Sequence, residues 1–302
     1  MQRVAAIAEK QQAAVSHPQL QGAGLSAVDI RRWLSSERIL PTGTRNVYRM
    51  PGAERTWKQV LWVAILGGPT GTLASHLSAA TVWGLLPPPD VQHVTVGRRS
   101  SGRFQCAVVH HAAVSATDRC RFQRLPVTGL GRTIVDCAAL LDQAALDALV
   151  DAAIGRGLCR YRQIKAAQVR AGRVRGGTRL RAALAPYAAG ARPRSEKEAH
   201  LLRLFHSWGL PPPECQYVIR DKQGRFLAKV DFAWVPWRFG LEYDGDEFHP
   251  PRRWTHDDRR QGRIEETGWR LERADRGDTR PSSTRLRSLL TAVMLQREHL
   301  AA

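Results

Sequence analysis

Three carboxylates fall close together late in the chain. Asp231 lies in Lys229-Val230-Asp231-Phe232-Ala233, and Glu242 and Asp244 lie in Glu242-Tyr243-Asp244-Gly245. They occur in a chain of 302 residues with a formal net charge of +19. Acids gathered inside a basic protein suggest a hard divalent ion held against a nucleic-acid phosphate. Magnesium takes oxygen ligands, often only one or two carboxylates plus phosphate and water.

The flanking residues read as two strands, 226–235 and 238–244, rich in β-branched and aromatic side chains, with Pro236-Trp237 as a tight turn. Strand side chains alternate between faces. Phe239, Leu241 and Tyr243 then share one face, and Gly240, Glu242 and Asp244 the other. Val230, Phe232 and Trp234 oppose Asp231, Ala233 and Val235. Pairing Val235 with Arg238 sets Asp231 opposite Glu242. At ~4 Å and an effective dielectric of about 20, that repulsion is about 4 kcal/mol. A cation, a raised pKa or solvent must offset it. Solvated edge-strand acids are the alternative reading. Against it stand the scarcity of Asp and Glu in strands and the apolar opposite face.

Composition bounds the rest. The length predicts two or three domains, and 43% hydrophobic residues suffice for packed cores. Five cysteines are scattered without a C-x-x-C pair or a His/Cys cluster, which argues against structural zinc and disulfides and for a reducing cytoplasm. No apolar run is long enough to span a membrane, and the N-terminal residues lack a signal-peptide core. The basic excess favours polyanionic partners. Between Asp151 and Glu196 there is no acidic residue, while Arg160, Arg162, Arg173, Arg175 and Arg179 stand among the bases. This stretch reads as a phosphate-tracking patch or as a solvated linker.

The expected fold class is α/β in three parts. Residues 1–52 read as short helices, with Ser16 and Ser26 as caps, a turn at Gly22-Ala23-Gly24, and a hairpin around Gly43-Thr44. That order fits a winged helix-turn-helix, with Arg31 and Arg32 on the third helix and Arg45 in the wing facing nucleic acid. A helical protein-interaction domain has a similar pattern. Residues 53–185 read as an α/β middle region without a catalytic constellation. His76 and His110-His111 are isolated there, and Gly67-Gly68-Pro69-Thr70-Gly71 lacks the Gly-Lys-Ser/Thr ending of a phosphate loop. Residues 190–302 read as α, β, β, β, α, β, α.

These residues carry a resemblance. Ser195-x-x-Glu198, Gly209-Leu210-Pro211, Val230-Asp231-Phe232-Ala233, Glu242-Tyr243-Asp244-Gly245-x-x-x-His249, Asp257-x-x-Arg260 and Gly268-Trp269-Arg270 resemble the restriction-endonuclease-like superfamily. The branch is that of the small nucleases akin to very-short-patch-repair endonucleases. The first two parts are similar to the winged-helix antitoxins of type IV abortive-infection systems, through Gln19-Leu20, Gly24-Leu25-Ser26, Gly43 to Tyr48, Ser75-His76-Leu77-Ser78-Ala79-Ala80, Leu125-Pro126-Val127-Thr128 and Arg132-Thr133-Ile134-Val135-Asp136. Such fusions are common in actinobacterial proteins.

The resemblance implies magnesium- or manganese-dependent hydrolysis of phosphodiester bonds in duplex DNA, in phage defence or DNA repair. Asp231, Glu242 and Asp244 would be the metal ligands. Glu198 would be a supporting acid, His249 or Asp257 an assisting base, and Arg260 a phosphate holder. Asp244 stands where many superfamily members have lysine, which leaves the general base open. Each assignment has a plainer counterpart. Ser195-x-x-Glu198 is also a capping box, His249 a loop residue, and Asp257-x-x-Arg260 an i,i+3 ion pair. The alternative function is a non-catalytic antitoxin-type regulator that keeps the nuclease fold and has a cognate toxin as partner.

Overall fold

Caps and glycine turns set the element ends near the N-terminus. α1 (Gln2–Lys10), β1 (Ala14–Ser16), α2 (His17–Gly22), α3 (Ala27–Ser35), β2 (Leu40–Pro41) and β3 (Val47–Arg49) follow one another. At the start of α3 the Asp29 N–H donates to the Ser26 hydroxyl at 3.1 Å, and the Ser26 N–H donates to the Asp29 carboxylate at 3.0 Å. This is a capping box with aspartate in the usual glutamate position. The strands form an antiparallel sheet in the order β1-β3-β2. Val4, Val15, Leu20, Ile30, Trp33 and Ile39 make the core beneath it.

The computed structural model describes residues 2–98, 106–243, 262–280 and 283–301, and the chain is mixed α/β with three sheets among those residues. No helix among them is long and apolar enough to cross a membrane. Contacts divide the chain into two units, Met1–Asp142 with Arg162–Leu180, and Gln143–Tyr161 with Arg181–Ala302.

The first unit continues through α4 (Trp57–Gly67), β4 (Leu73–Ala74), α5 (His76–Val82), β5 (Gln92–Val96), β6 (Ala107–His111), β7 (Arg119–Phe122), β8 (Leu125–Thr128) and α6 (Leu130–Cys137). Its sheet has the order β6-β5-β4-β8-β7, with β5–β6 and β4–β8 parallel. Leu61, Trp62, Val94, Leu125 and Val127 fill the core. The β7–β8 hairpin turns on Gln123 and Arg124, both left-handed at φ 49° and 69°. That turn lacks the Asn-Gly or Asp-Gly pair that usually marks one.

α7 (Gln143–Gly155), which the sequence reading put in the middle part, packs in the second unit against α10 (Glu196–Ser207). In chain order α8 (Tyr161–Ala171) and α9 (Gly177–Leu184) follow α7. The backbone of α7 comes so close to the start of α10 that a Cβ at Gly155 would strike the Ser195 carbonyl.

β9 (Glu214–Arg220), β10 (Phe226–Trp234), β11 (Phe239–Tyr243) and β12 (Arg270–Ala274) form the second unit's sheet, in the order β12-β11-β10-β9, and α11 (Arg285–Ala301) follows. β11 and β12 are parallel, and the other pairs are antiparallel. Trp234 pairs with Phe239 and Phe232 with Leu241, so the register is the one the spacing predicts. The link is a 3-10 turn, Val235–Trp237, followed by Arg238 at φ 50°. Strict alternation fails near Asp231. Val230 and Ala233 pack in one cluster with Ile219, Leu227, Ile264 and Trp269, whereas Phe232 and Trp234 each reach the Phe205 ring of α10 at 5.2 Å.

Candidate functional site

The second unit's acids meet where α10 crosses the sheet. Ser195 caps α10, its hydroxyl accepting from the Glu198 N–H at 3.1 Å and donating to the Glu198 carboxylate at 3.2 Å. The Arg194 N–H donates to the other Glu198 oxygen at 2.9 Å. Glu198 is therefore part of a cap and still faces outward from it. The same oxygen accepts from the Gln216 side-chain amide at 3.1 Å, and that amide nitrogen also donates to Asp231 Oδ1 at 3.0 Å. Asp231 Oδ2 accepts the Tyr243 backbone N–H at 2.8 Å. One amide nitrogen thus bridges two carboxylates on different elements.

Glu198 is 7% exposed, and its acid is held above the ordinary carboxylate range. Burial is the main cause and the Asp231 charge adds to it, while the hydrogen bonds from Arg194, Ser195 and Gln216 oppose it. Burial also pushes the neighbouring Cys215 thiol up to about 11, with the Glu198 and Asp231 charges contributing.

The β10–β11 ladder ends at Phe232 and Leu241, one residue short of Asp231 and Glu242. Glu242 is half-buried, and Arg273 Nε on the parallel neighbour β12 lies 4.0 Å from Glu242 Oε2. Lys197 Nζ stands 5.3 Å over the Tyr243 ring. Asp244, His249, Asp257 and Arg260 lie outside the described residues. Among the described residues no group of three or more His, Cys, Asp or Glu side chains is disposed to hold a metal. The nearest donor set is smaller: the carboxylates of Asp231 and Glu198 and the side-chain oxygen of Gln216. It is all oxygen, which suits a hard divalent ion and not zinc or copper.

Gln216 escaped the sequence reading. Its signal was weak, a lone polar residue in the apolar run Cys215 to Ile219. Its backbone is distinctive, at φ 59° inside a strand. Left-handed backbone at a residue other than glycine is uncommon and concentrates at functional sites.

In the first unit, Arg31, Arg32 and Arg45 are exposed. Arg32 pairs with Asp29 at 3.0 Å, and Arg31 Nε donates to the Ala27 carbonyl at 3.4 Å. The basic stretch is divided. Arg160 belongs to the second unit, and Arg162, Arg173, Arg175 and Arg179 to the first. Arg160, Arg162, Arg173 and Arg175 are exposed, while half-buried Arg179 donates to the Ala138 carbonyl at 3.0 Å. Arg170 grips Asp118 with two bonds of 3.0 and 2.5 Å. Part of this charge therefore holds the first unit together.

The histidines that look isolated in sequence are gathered. The His76 ring stacks on His110 with centroids 3.5 Å apart, and His93 Nδ1 lies 2.9 Å from His110 Nε2. Parallel pairing of β5 and β6 brings His93 and His110 together, and α5 lays His76 on them. Burial drives His76 down to about 2 and His110 to about 4, with mutual repulsion adding to both. The facing nitrogens of His93 and His110 are spent on each other, and no metal-holding group of three or more side chains is found among the described residues.

No family model matches the chain. It is similar to two curated proteins of Mycobacterium tuberculosis, uncharacterized protein MT2308 of strain CDC 1551 / Oshkosh and uncharacterized protein Rv2248 of strain ATCC 25618 / H37Rv. Identity to each is 36% over 141 residues, covering 46% of this chain and 51% of the relative. The chain thus spans about half the length of the curated relatives it matches.

Proposed function

We propose that the chain is a DNA-directed, metal-dependent endonuclease. In this reading residues 190–302 form a restriction-endonuclease-like domain, and residues 1–52 a winged helix-turn-helix that holds duplex. The observation that carries it is the Gln216 bridge between Glu198 and Asp231. Among the described residues two carboxylates meet with a neutral amide between them, and burial already strains the charge on one. A structural ion pair would set a guanidinium or ammonium there, as Arg203 does for Asp151 at 2.5 Å elsewhere in the same unit.

Asp231 and Glu242 would hold magnesium or manganese, with Glu198 as supporting acid. The ion would polarise a phosphoryl oxygen and lower the pKa of attacking water. The Tyr243 N–H fixes the Asp231 carboxylate, and the Ser195 cap fixes Glu198. The exposed Arg31 and Arg32 on α3, with the net charge of +19, support a duplex partner. A second reading, the regulator without catalysis, draws on Arg273. Its guanidinium beside Glu242 offsets charge that an ion would otherwise neutralise.

The test uses the full chain, supercoiled plasmid, and magnesium or manganese. Glu242→Ala should abolish nicking while duplex affinity by fluorescence anisotropy is kept. Arg31→Ala with Arg32→Ala should do the reverse, weakening duplex binding severalfold. Duplex binding without cutting in either ion would overturn the nuclease and leave the regulator.

A further inference from the structure

Gln216 occupies a position where its backbone conformation would suit glycine better, at φ 59° within β9. What the position gains from a glutamine is the side chain, whose nitrogen lies 3.1 Å from Glu198 Oε2 and 3.0 Å from Asp231 Oδ1. A primary amide has two unlike ends of nearly equal shape. The NH2 end donates twice and the carbonyl end only accepts. Rotation about the terminal torsion exchanges them, and that torsion is soft and roughly two-fold. With the NH2 turned inward, the amide satisfies two carboxylates. With the oxygen turned inward, it would repel them unless a cation stood between.

We propose that Gln216 is a reversible placeholder for a divalent cation, bridging Glu198 and Asp231 through its nitrogen in the empty site and ligating the ion through its oxygen in the filled one. This rests on the metal-site reading above. Other residue types fail one half of the task. Lysine or arginine would neutralise the acids permanently and exclude the ion. An apolar residue would leave both acids without this donor. Glutamate would add a third negative charge to the empty site. A hydroxyl or neutral imidazole has a single hydrogen for two acids. The amide serves both states, and it keeps the empty site folded without blocking it.

The probe is manganese alone, titrated by calorimetry into the full-length wild type, Gln216→Met and Gln216→Glu. Affinity should rank Glu above Gln above Met. Loss of the oxygen ligand should weaken binding roughly tenfold in Gln216→Met, and the fixed carboxylate should tighten it by a similar factor in Gln216→Glu. If the amide only buttresses the acids, removing it removes a competitor, and Gln216→Met will bind manganese at least as tightly as wild type. That result, or a Gln216→Glu protein that binds no more tightly than wild type, overturns the placeholder while leaving the metal site standing. Absence of manganese uptake by the wild type itself would instead sink the metal reading. Should Gln216→Met fail to fold, the comparison of wild type with Gln216→Glu decides alone.

Discussion

Each unit gathers like titratable groups, and they handle the consequence differently. In the first unit His76, His93 and His110 stack and bond to one another, and burial keeps them neutral. An imidazole at neutral pH can be donor and acceptor at once, so the cluster closes on itself. In the second unit Glu198 and Asp231 cannot do this. Ionised carboxylates only accept, so they borrow both hydrogens of Gln216. A closed cluster of neutral groups is a structural device. An open pair of acids held by a neutral amide leaves its charge without a cation among the described residues.

The largest test of this contrast lies within the second unit, on the helix that carries Glu198. Arg203 bonds Asp151 at 3.0 and 2.5 Å, and also reaches Asp147 at 3.0 Å and the Ala183 carbonyl at 3.0 Å. The Tyr187 hydroxyl donates to Asp151 at 2.6 Å. These charges are matched, unlike those at Glu198. Arg203→Met should leave Asp151 buried without its cation and cost about 3–5 kcal/mol. Urea unfolding would measure it. A loss below about 1 kcal/mol would mean that the matched acids of α7 and the unmatched acid of α10 behave alike.

Acid comes next. A depressed histidine pKa means that the unfolded chain takes up protons the folded unit refuses. The stability is complete above the unfolded pKa of about 6.5 and is lost as pH falls toward the folded values. For His76, driven to about 2, the loss at pH 4.5 is about 2–3 kcal/mol. His110, driven to about 4, adds to it in the same window. Arg132, His93 and His110 around His76, and His93 and His111 around His110, all repel the added charge. Hydrogen exchange in the peptides of α5, β5 and β6 should rise steeply between pH 6.5 and 4.5 after correction for intrinsic rates. Flat protection across that range would remove the histidine cluster from the comparison.

The two clusters also differ in how much of them was legible. The β10–β11 register could be read because Pro236-Trp237 marks a short link and alternation fixes the pairing on either side. The Ser195 cap and Glu198 were legible from local spacing. Gln216 was not, since its role depends on a break in alternation at Asp231 and on a left-handed backbone, neither of which a periodic pattern encodes. The histidines were hidden for a different reason. His76, His93 and His110 meet only through parallel pairing of β5 with β6 and the fold-back of α5, and sequence separation conceals such contacts. The β7–β8 hairpin was missed because Gln123 and Arg124 adopt left-handed geometry without a glycine or asparagine to announce it.

The smallest expected effect is the most discriminating, because it carries the opposite sign. A carboxyl whose folded pKa is raised contributes stability below its unfolded pKa of about 4.3 and loses it as pH rises through the folded value. Glu198 is such a group, so without divalent ions it should weaken the second unit at neutral pH. Glu198→Gln keeps the size and an acceptor for the Arg194 N–H, and removes the charge that Asp231 repels. In metal-free buffer the variant should be more stable than wild type at pH 7, by a few tenths to about 1 kcal/mol, and the difference should vanish near pH 4. Added manganese should reverse the order, since binding stabilises with the logarithm of free manganese over Kd and the variant, binding more weakly, gains less. Thermal melts at pH 7 and pH 4, with and without manganese, give the four values needed. A wild type more stable than Glu198→Gln in metal-free buffer at pH 7 would mean that the Glu198 charge is already compensated within the chain, and the second cluster would then be as closed as the first.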